Sequence, residues 1–144
     1  MILVDTSGLF AAIDRSQRTH QACAQVIASR DGPFLLSPFV LAELDYLLGK
    51  RVNAAAQDAL LAEVERGAYR LEPFLAADVA AARRTLSKYP SLNLGITDAS
   101  IIVLADRYNL RDVLTLDERH FRAIRTGKGK RFRILPADES KIGR

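Results

Sequence analysis

Short apolar runs, each three or four residues long, recur along this chain between stretches with helical character, and that alternation limits the folds open to it. Ile2–Val4, Phe34–Leu36, Tyr69–Leu71 and residues 113–116 and 132–135 read as strands. Helices are expected over residues 9–14, 19–30, 38 to about 48, 54–66, 76–88 and 99–108. Their ends carry chemical signals. Ser37 can cap and Pro38 suits a first helical turn, because its missing donor costs nothing there. Asn53 can cap the next helix and Gly67 close it, while Thr6-Ser7-Gly8 and Asp31-Gly32-Pro33 read as breaks. Residues 91–96 look like loop, and Thr97 or Asp98 is expected to open the helix over 99–108. That last helix is apolar nearly all round, so it must be buried. Strands alternating with helices predict an α/β fold with a mainly parallel sheet covered on both faces.

The length of 144 residues suits a single domain over 1–144, long enough to bury a real core. Cys23 is the only cysteine, which excludes an internal disulfide and any multi-cysteine metal cluster. His20 and His120 are the only histidines, so a site built on soft ligands is not expected. The first residues lack the basic and apolar regions of a signal peptide, and no window approaches eighteen uncharged apolar residues. A cytoplasmic protein without a membrane span is expected.

Twenty-one basic and seventeen acidic residues give a formal charge of +4, a balance that suits a polyanionic partner. Arg119, Arg122, Arg125, Lys128, Lys130, Arg131 and Arg133 fall in one stretch without an acid. It reads either as a solvated loop and edge strand or as a phosphate-binding surface. In the second reading, Arg119 and Arg122 sit close to Asp117, and Lys128, Lys130 and Arg131 meet a polyanion's phosphates farther off.

Four acids stand where a carboxylate is constrained. Asp5 and Asp117 follow apolar strands at their carboxyl ends, where open parallel sheets collect ligands, although an aspartate there can also simply begin a turn. Glu43 has Phe39, Val40, Tyr46 and Leu47 as helical neighbours, so it is expected to be buried within an apolar stripe. It should then either pair with an arginine or face a cation. Asp98 opens the apolar helix and can be a cap, a charge set against the helix dipole, or a ligand. Several carboxylates at one end of a sheet repel one another unless a cation offsets them, and oxygen-only ligands favour Mg²⁺ or Mn²⁺. An acidic metal pocket on a basic protein is what hydrolysis of a phosphodiester requires. Other chemistries lack their residues. No phosphate-binding G-x-x-x-x-G-K-[ST] loop is present, and Gly127-Lys128-Gly129 is only a fragment of one. Cys23 and His20 have no orienting acid beside them in sequence.

Taken together, ILVDTSGL around Asp5, SPFVLAELDYLL around Glu43, GITDASIIVLADR around Asp98 and VLTLDERHF around Asp117 resemble the PIN-domain ribonucleases, in the family's order and over essentially the whole chain. The strongest similarity is to the VapC toxins of toxin–antitoxin pairs. The resemblance implies a three-layer sandwich whose five parallel strands run in the order 3-2-1-4-5 between helices. It implies Asp5, Glu43, Asp98 and Asp117 as the catalytic acids, with Asp5 and Asp98 the principal Mg²⁺ ligands and Glu43 and Asp117 further candidates. Ser7 and Thr115 correspond to the family's supporting hydroxyls. The implied substrate is structured RNA, a tRNA or the sarcin–ricin loop of 23S rRNA, and the implied partners are a second copy of the chain and a VapB-like antitoxin. Two other functions remain open at this point. A catalytically idle RNA-binding module would keep the fold and the metal pocket. A receiver-type phosphoacceptor would need a second acid beside Asp5, where Thr6 and Ser7 stand, and a lysine after Leu135, where Pro136 stands.

Overall fold

The structure is a computed structural model and describes residues 1–139. Its sheet has five strands, β1 (Ile2–Val4), β2 (Phe34–Leu36), β3 (Tyr69–Leu71), β4 (Asp112–Leu114) and β5 (Arg133–Leu135). They run parallel in the order β3-β2-β1-β4-β5, as expected. Every residue of β1 and β2 is buried. Successive strand residues point to opposite faces, so helices must cover both. β3 closes one edge with Arg70 and Leu71 exposed, and a charged side chain on a free edge discourages further pairing.

The helices are α1 (Thr6–Ile13), α2 (His20–Ala28), α3 (Pro38–Arg51), α4 (Ala54–Glu65), α5 (Ala76–Lys88), α6 (Ile96–Tyr108) and α7 (Glu118–Ala123). Among the described residues, none is long and apolar enough to cross a membrane. α6 is buried at every residue from Ala99 to Ala105. Ala82, Ala99 and Val103 let α5 lie close against it. The main core gathers the strands, Leu9 and Phe10 of α1, Val40, Leu44 and Leu48 of α3, and Ile101, Ile102 and Leu104 of α6.

Several local expectations are corrected. Thr6-Ser7-Gly8 is no break: α1 starts at Thr6, directly after Asp5. α6 starts at Ile96 with Gly95 as its cap, so Asp98 lies inside its first turn. Residues 90–92 form a 3-10 turn that overlaps the start of the expected loop, and α3 continues past Gly49 to Arg51. β4 ends at Leu114, two residues early, because Thr115 turns its hydroxyl to Asp5. The short helix α7 carries too weak a periodicity to be seen in the sequence. Asp117 caps it by accepting the His120 N–H at 3.2 Å, and Phe121 anchors it edge-on to Phe132 at 5.4 Å.

Candidate functional site

The order β3-β2-β1-β4-β5 reverses direction between β1 and β4, and side chains just beyond the carboxyl ends of those two strands meet in the resulting crevice. Val4 is in register with Leu114, and the Asp5 N–H donates to the Leu114 carbonyl at 2.9 Å. Asp5 and Thr115 therefore leave neighbouring strands side by side. α1 can follow so tightly because of Gly8. A β-carbon there would stand 2.5 Å from the Leu114 carbonyl oxygen, closer than any real side chain comes.

Asp5 is only 6% exposed and is surrounded by donors. Thr115 Oγ1 donates to its Oδ2 at 2.6 Å, and Ser7 Oγ donates to the same oxygen at 3.3 Å. Both hydroxyls are themselves positioned by the backbone beyond β4. Ser7 Oγ accepts the Leu116 N–H at 3.0 Å, and Thr115 Oγ1 accepts the Asp117 N–H at 3.0 Å. Despite these donors, burial pushes the Asp5 carboxyl up to about 6, and the Asp98 charge adds to the rise. Burial also raises Asp98, where the Gly95 N–H opposes it and the charges of Asp117 and Glu43 reinforce it. The neighbouring His120 charge also opposes the rise at Asp98.

Asp5, Glu43, Asp98 and Asp117 line one cavity of about 480 Å³ together with Thr6, Ser7 and Thr97. Asp98 Oδ2 lies 3.4 Å from the Gly95 N–H, a long cap contact that leaves most of the carboxylate available. Glu43 reaches the cavity for a different reason from the one expected. α3 buries Val40, Leu44 and Leu48 and packs Leu47 against the core, whereas Tyr46 is 62% exposed, so the stripe flanking Glu43 is only partly buried. Glu43 itself is exposed, and among the described residues no arginine pairs with it. Its two oxygens accept instead from Thr6 Oγ1 at 2.8 Å and Thr97 Oγ1 at 3.1 Å. Beneath Thr97, Ser100 donates to the Thr97 carbonyl at 2.6 Å and shares a 2.6 Å hydrogen bond with Ser37, tying the start of α6 to the start of α3.

His120 is the residue that sequence reasoning missed. Asp98, Asp117 and His120 each bring one potential ligand atom within 4.8 Å of the others. Counting histidines set His120 aside, since two in a chain make no soft-ligand site. Its spacing of three from Asp117 was the available signal, but it has force only once α7 is known to be helical.

The basic residues separate into distinct places. Arg119 is exposed on α7, two positions after Asp117. Arg122 is occupied, donating to both oxygens of Asp138 at 2.9 and 2.7 Å and to Glu118 at 3.2 Å. Lys128, Lys130 and Arg131 are exposed on a small hairpin closed by Thr126 N–H to the Lys130 carbonyl and by an Arg125–Arg131 bridge. Gly129 makes the turn with φ +77°, which favours glycine. The Gly127 N–H donates to Asp106 at 2.6 Å and Lys130 Nζ to Asn109 at 3.3 Å, which fixes the hairpin to the end of α6 opposite Asp98. Asp106 follows Asp98 by eight helical positions, an axial distance of roughly 12 Å.

This fold and acidic crevice define a class of protein. The model of the PIN domain matches residues 2–126, and the chain belongs to the PIN-domain family, in its VapC ribonuclease branch. It is 43% identical over 135 residues to Ribonuclease VapC26 of Mycobacterium tuberculosis (strain ATCC 25618 / H37Rv), covering 94% of this chain and 100% of that protein. Among solved structures it resembles VapC20 of M. tuberculosis, a sarcin–ricin loop cleaving toxin, with a TM-score of 0.76 and 23% identity over 81% of this chain and 90% of that one. It also resembles VapBC2 from Rickettsia felis bound to a promoter DNA fragment, with a TM-score of 0.65 and 19% identity over 94% and 99% of the two chains. At these identities the structural likenesses establish the shared fold.

Proposed function

We propose that this chain is a divalent-metal-dependent endoribonuclease that acts as the toxin of a VapBC-type pair and cuts structured RNA by attack of water on a phosphodiester. The observation that carries this reading is the convergence of Asp5, Glu43, Asp98 and Asp117 on one cavity, with Asp5 and Asp98 both raised by burial and by neighbouring negative charge. Carboxylates held this way suit a hard cation, and His120, paired with Asp117 at 2.8 Å, stands beside them. The residues fit a bound Mg²⁺, with Mn²⁺ able to replace it. Asp5 and Asp98 are the principal ligands in this reading, and Glu43 and Asp117 complete the acidic ring.

A bound ion would supply positive charge against the scissile phosphate and an acidified water. The chain's own groups do the rest. Thr115 and Ser7 hold Asp5 in one orientation through their hydroxyls. Each Glu43 oxygen accepts one threonine proton and keeps a lone pair with which to orient the attacking water. Arg119 is near enough in sequence to Asp117 to take a flanking phosphate, and Lys128, Lys130 and Arg131 meet the RNA backbone farther from the cut. Arg122, engaged by Asp138 and Glu118, has to exchange those partners before it can join them.

In this reading the whole chain works as one PIN domain in the cytoplasm, as a homodimer, and a VapB-like antitoxin silences it. The similarity to a VapBC complex supports the antitoxin. The similarity to a sarcin–ricin loop cleaving toxin supports structured RNA, with that loop and tRNA as the two candidates. Mapping the 5′ ends of cellular RNA after brief expression tests the reading. New ends at one or a few sites in a structured RNA are expected, and an unchanged set of ends would overturn it.

A further inference from the structure

We propose that the wall formed by Leu47, Gly95 and Ile96 is a nucleobase subsite, which seats the base of a nucleotide beside the phosphodiester cut in the acidic cavity. The inference rests on the RNA-cutting reading above and adds to it the part of the substrate that the cavity holds besides phosphate.

The cavity is not lined by polar groups alone. Leu47 lies one helical turn beyond Glu43 on α3, Ile96 lies two positions before Asp98 on α6, and both face the same cavity as those acids. Each is half-buried. Leu47 packs on the main core and Ile96 on the cluster of Ala82, Ala99 and Val103, so each is anchored behind while it lines the cavity in front. Phosphate and a hard cation gain nothing from apolar surface, which is favourable only when a ligand removes it from water. The volume, about 480 Å³, falls in the range of roughly 300–1,000 Å³ that encloses a whole small organic ligand. A ligand matched to both linings carries an anionic group and an apolar face close together. A nucleotide does so, because one sugar joins its phosphate to the face of its base.

Gly95 points the same way from an independent observation. Its backbone, with φ −106° and ψ −176°, is extended and open to any residue. A β-carbon there would meet nothing within 4 Å. As the cap of α6, glycine is no better than threonine and poorer than serine, asparagine or aspartate. Conformation, packing and capping therefore all leave glycine unexplained at this position. Its backbone is nonetheless fixed, since Leu94 packs on the main core and Ile96 on the second cluster, with Gly95 the exposed link between them. The missing side chain leaves open space along the cavity wall, where a flat base can approach the backbone closely. Base faces are covered in a stacked helix, so the nucleotide seated here is unstacked.

Fluorescence anisotropy of the intact protein in Ca²⁺, a hard cation suited to oxygen ligands, tests this with two probes. One is a short single-stranded RNA and the other an abasic strand with the same number of phosphates, both checked for integrity after the measurement. Wild type is expected to bind the RNA more tightly by about fivefold or more, with an equal salt slope, because the bases add apolar burial and no charge. Gly95→Leu fills the open space and Leu47→Ala removes part of the wall. Each should bring RNA affinity close to that of the abasic strand, while abasic affinity stays within about twofold of wild type. Gly95→Ser, a better cap with a small side chain, should melt no lower than wild type and keep most of the preference for RNA. Equal affinity for the two strands in wild type, or variants that weaken both strands alike, would overturn the proposal, and the wild-type comparison decides even if a variant fails to fold. RNA cleavage is scored separately. A protein that prefers the strand with bases but cuts no RNA keeps this subsite and loses the nuclease reading, and one that cuts RNA without the preference does the reverse.

Discussion

Asp5 shows most directly how the pocket is built against its own electrostatics. Its carboxyl, ordinarily near 3.8, is pushed up to about 6 by burial. In the metal-free protein the folded state therefore holds this proton more tightly than the unfolded chain does. Stability falls as pH rises from about 4 to about 6 and then levels, by about 3 kcal/mol for this group. Asp5→Asn should abolish that fall and leave the metal-free protein more stable at neutral pH. Denaturant melts of the two proteins across this range check it, and a difference that does not change with pH would contradict the assignment. Glu43→Gln makes a contrasting case. With no arginine to strand and an exposed side chain, it should shift metal-free stability by no more than about 0.5 kcal/mol, yet lower metal affinity and cleavage together. Melts with and without Mg²⁺ separate the two effects. Asp5 and Asp98 were legible in the sequence because a strand end and the start of an apolar helix are local facts. Glu43 was picked out through a stripe that is only partly buried, and its own side chain is exposed; its partners, Thr6 and Thr97, lie 37 and 54 residues away in sequence. His120 depended on a six-residue helix whose existence is decided by Phe121 packing on Phe132, a contact no local pattern reveals.

The elements were legible wherever burial imposed a pattern. β1, β2 and β3 lie where their apolar runs placed them, and α6 is buried as its composition required. Parallel pairing follows from the alternation of strands and helices, whereas the order of the strands came from the family resemblance. What failed was the junction between β1 and α1, where Gly8 looked like punctuation. Its role is proximity, because it allows the first turn of α1 to rest on the Leu114 carbonyl. Gly8→Ala should therefore destabilise the protein by about 1–3 kcal/mol, outweighing the gain in helix propensity of 0.5–1 kcal/mol or so. It should also lower cleavage, since separating α1 from β4 moves Ser7 and Asp5 away from Thr115. A urea titration alongside an RNA cleavage assay tests this, and an alanine variant as stable as wild type would show that the junction has slack.

Across the whole molecule, negative charge is concentrated at the carboxyl ends of β1 and β4, while an exposed basic hairpin is fixed at the far end of α6. In the proposed reading, a polyanion long enough to reach both would be held at one end and cut at the other. Replacing Lys128, Lys130 and Arg131 with alanine should weaken RNA binding and reduce the slope of log affinity against log salt by about 2 to 3, leaving the position of the cut unchanged. An unaltered slope would remove the hairpin from the RNA interface. The account stands or falls, however, on whether the acidic crevice is the place where RNA is cut. The most direct measurement is cleavage of a structured RNA by purified wild type and Asp98→Asn in Mg²⁺, each with its melting curve. The account predicts that Asp98→Asn melts at or above the wild-type temperature without metal, because like charge has been removed from the pocket, and that its cleavage rate falls by about a hundredfold or more. A folded Asp98→Asn protein that cuts RNA at the wild-type rate would contradict it.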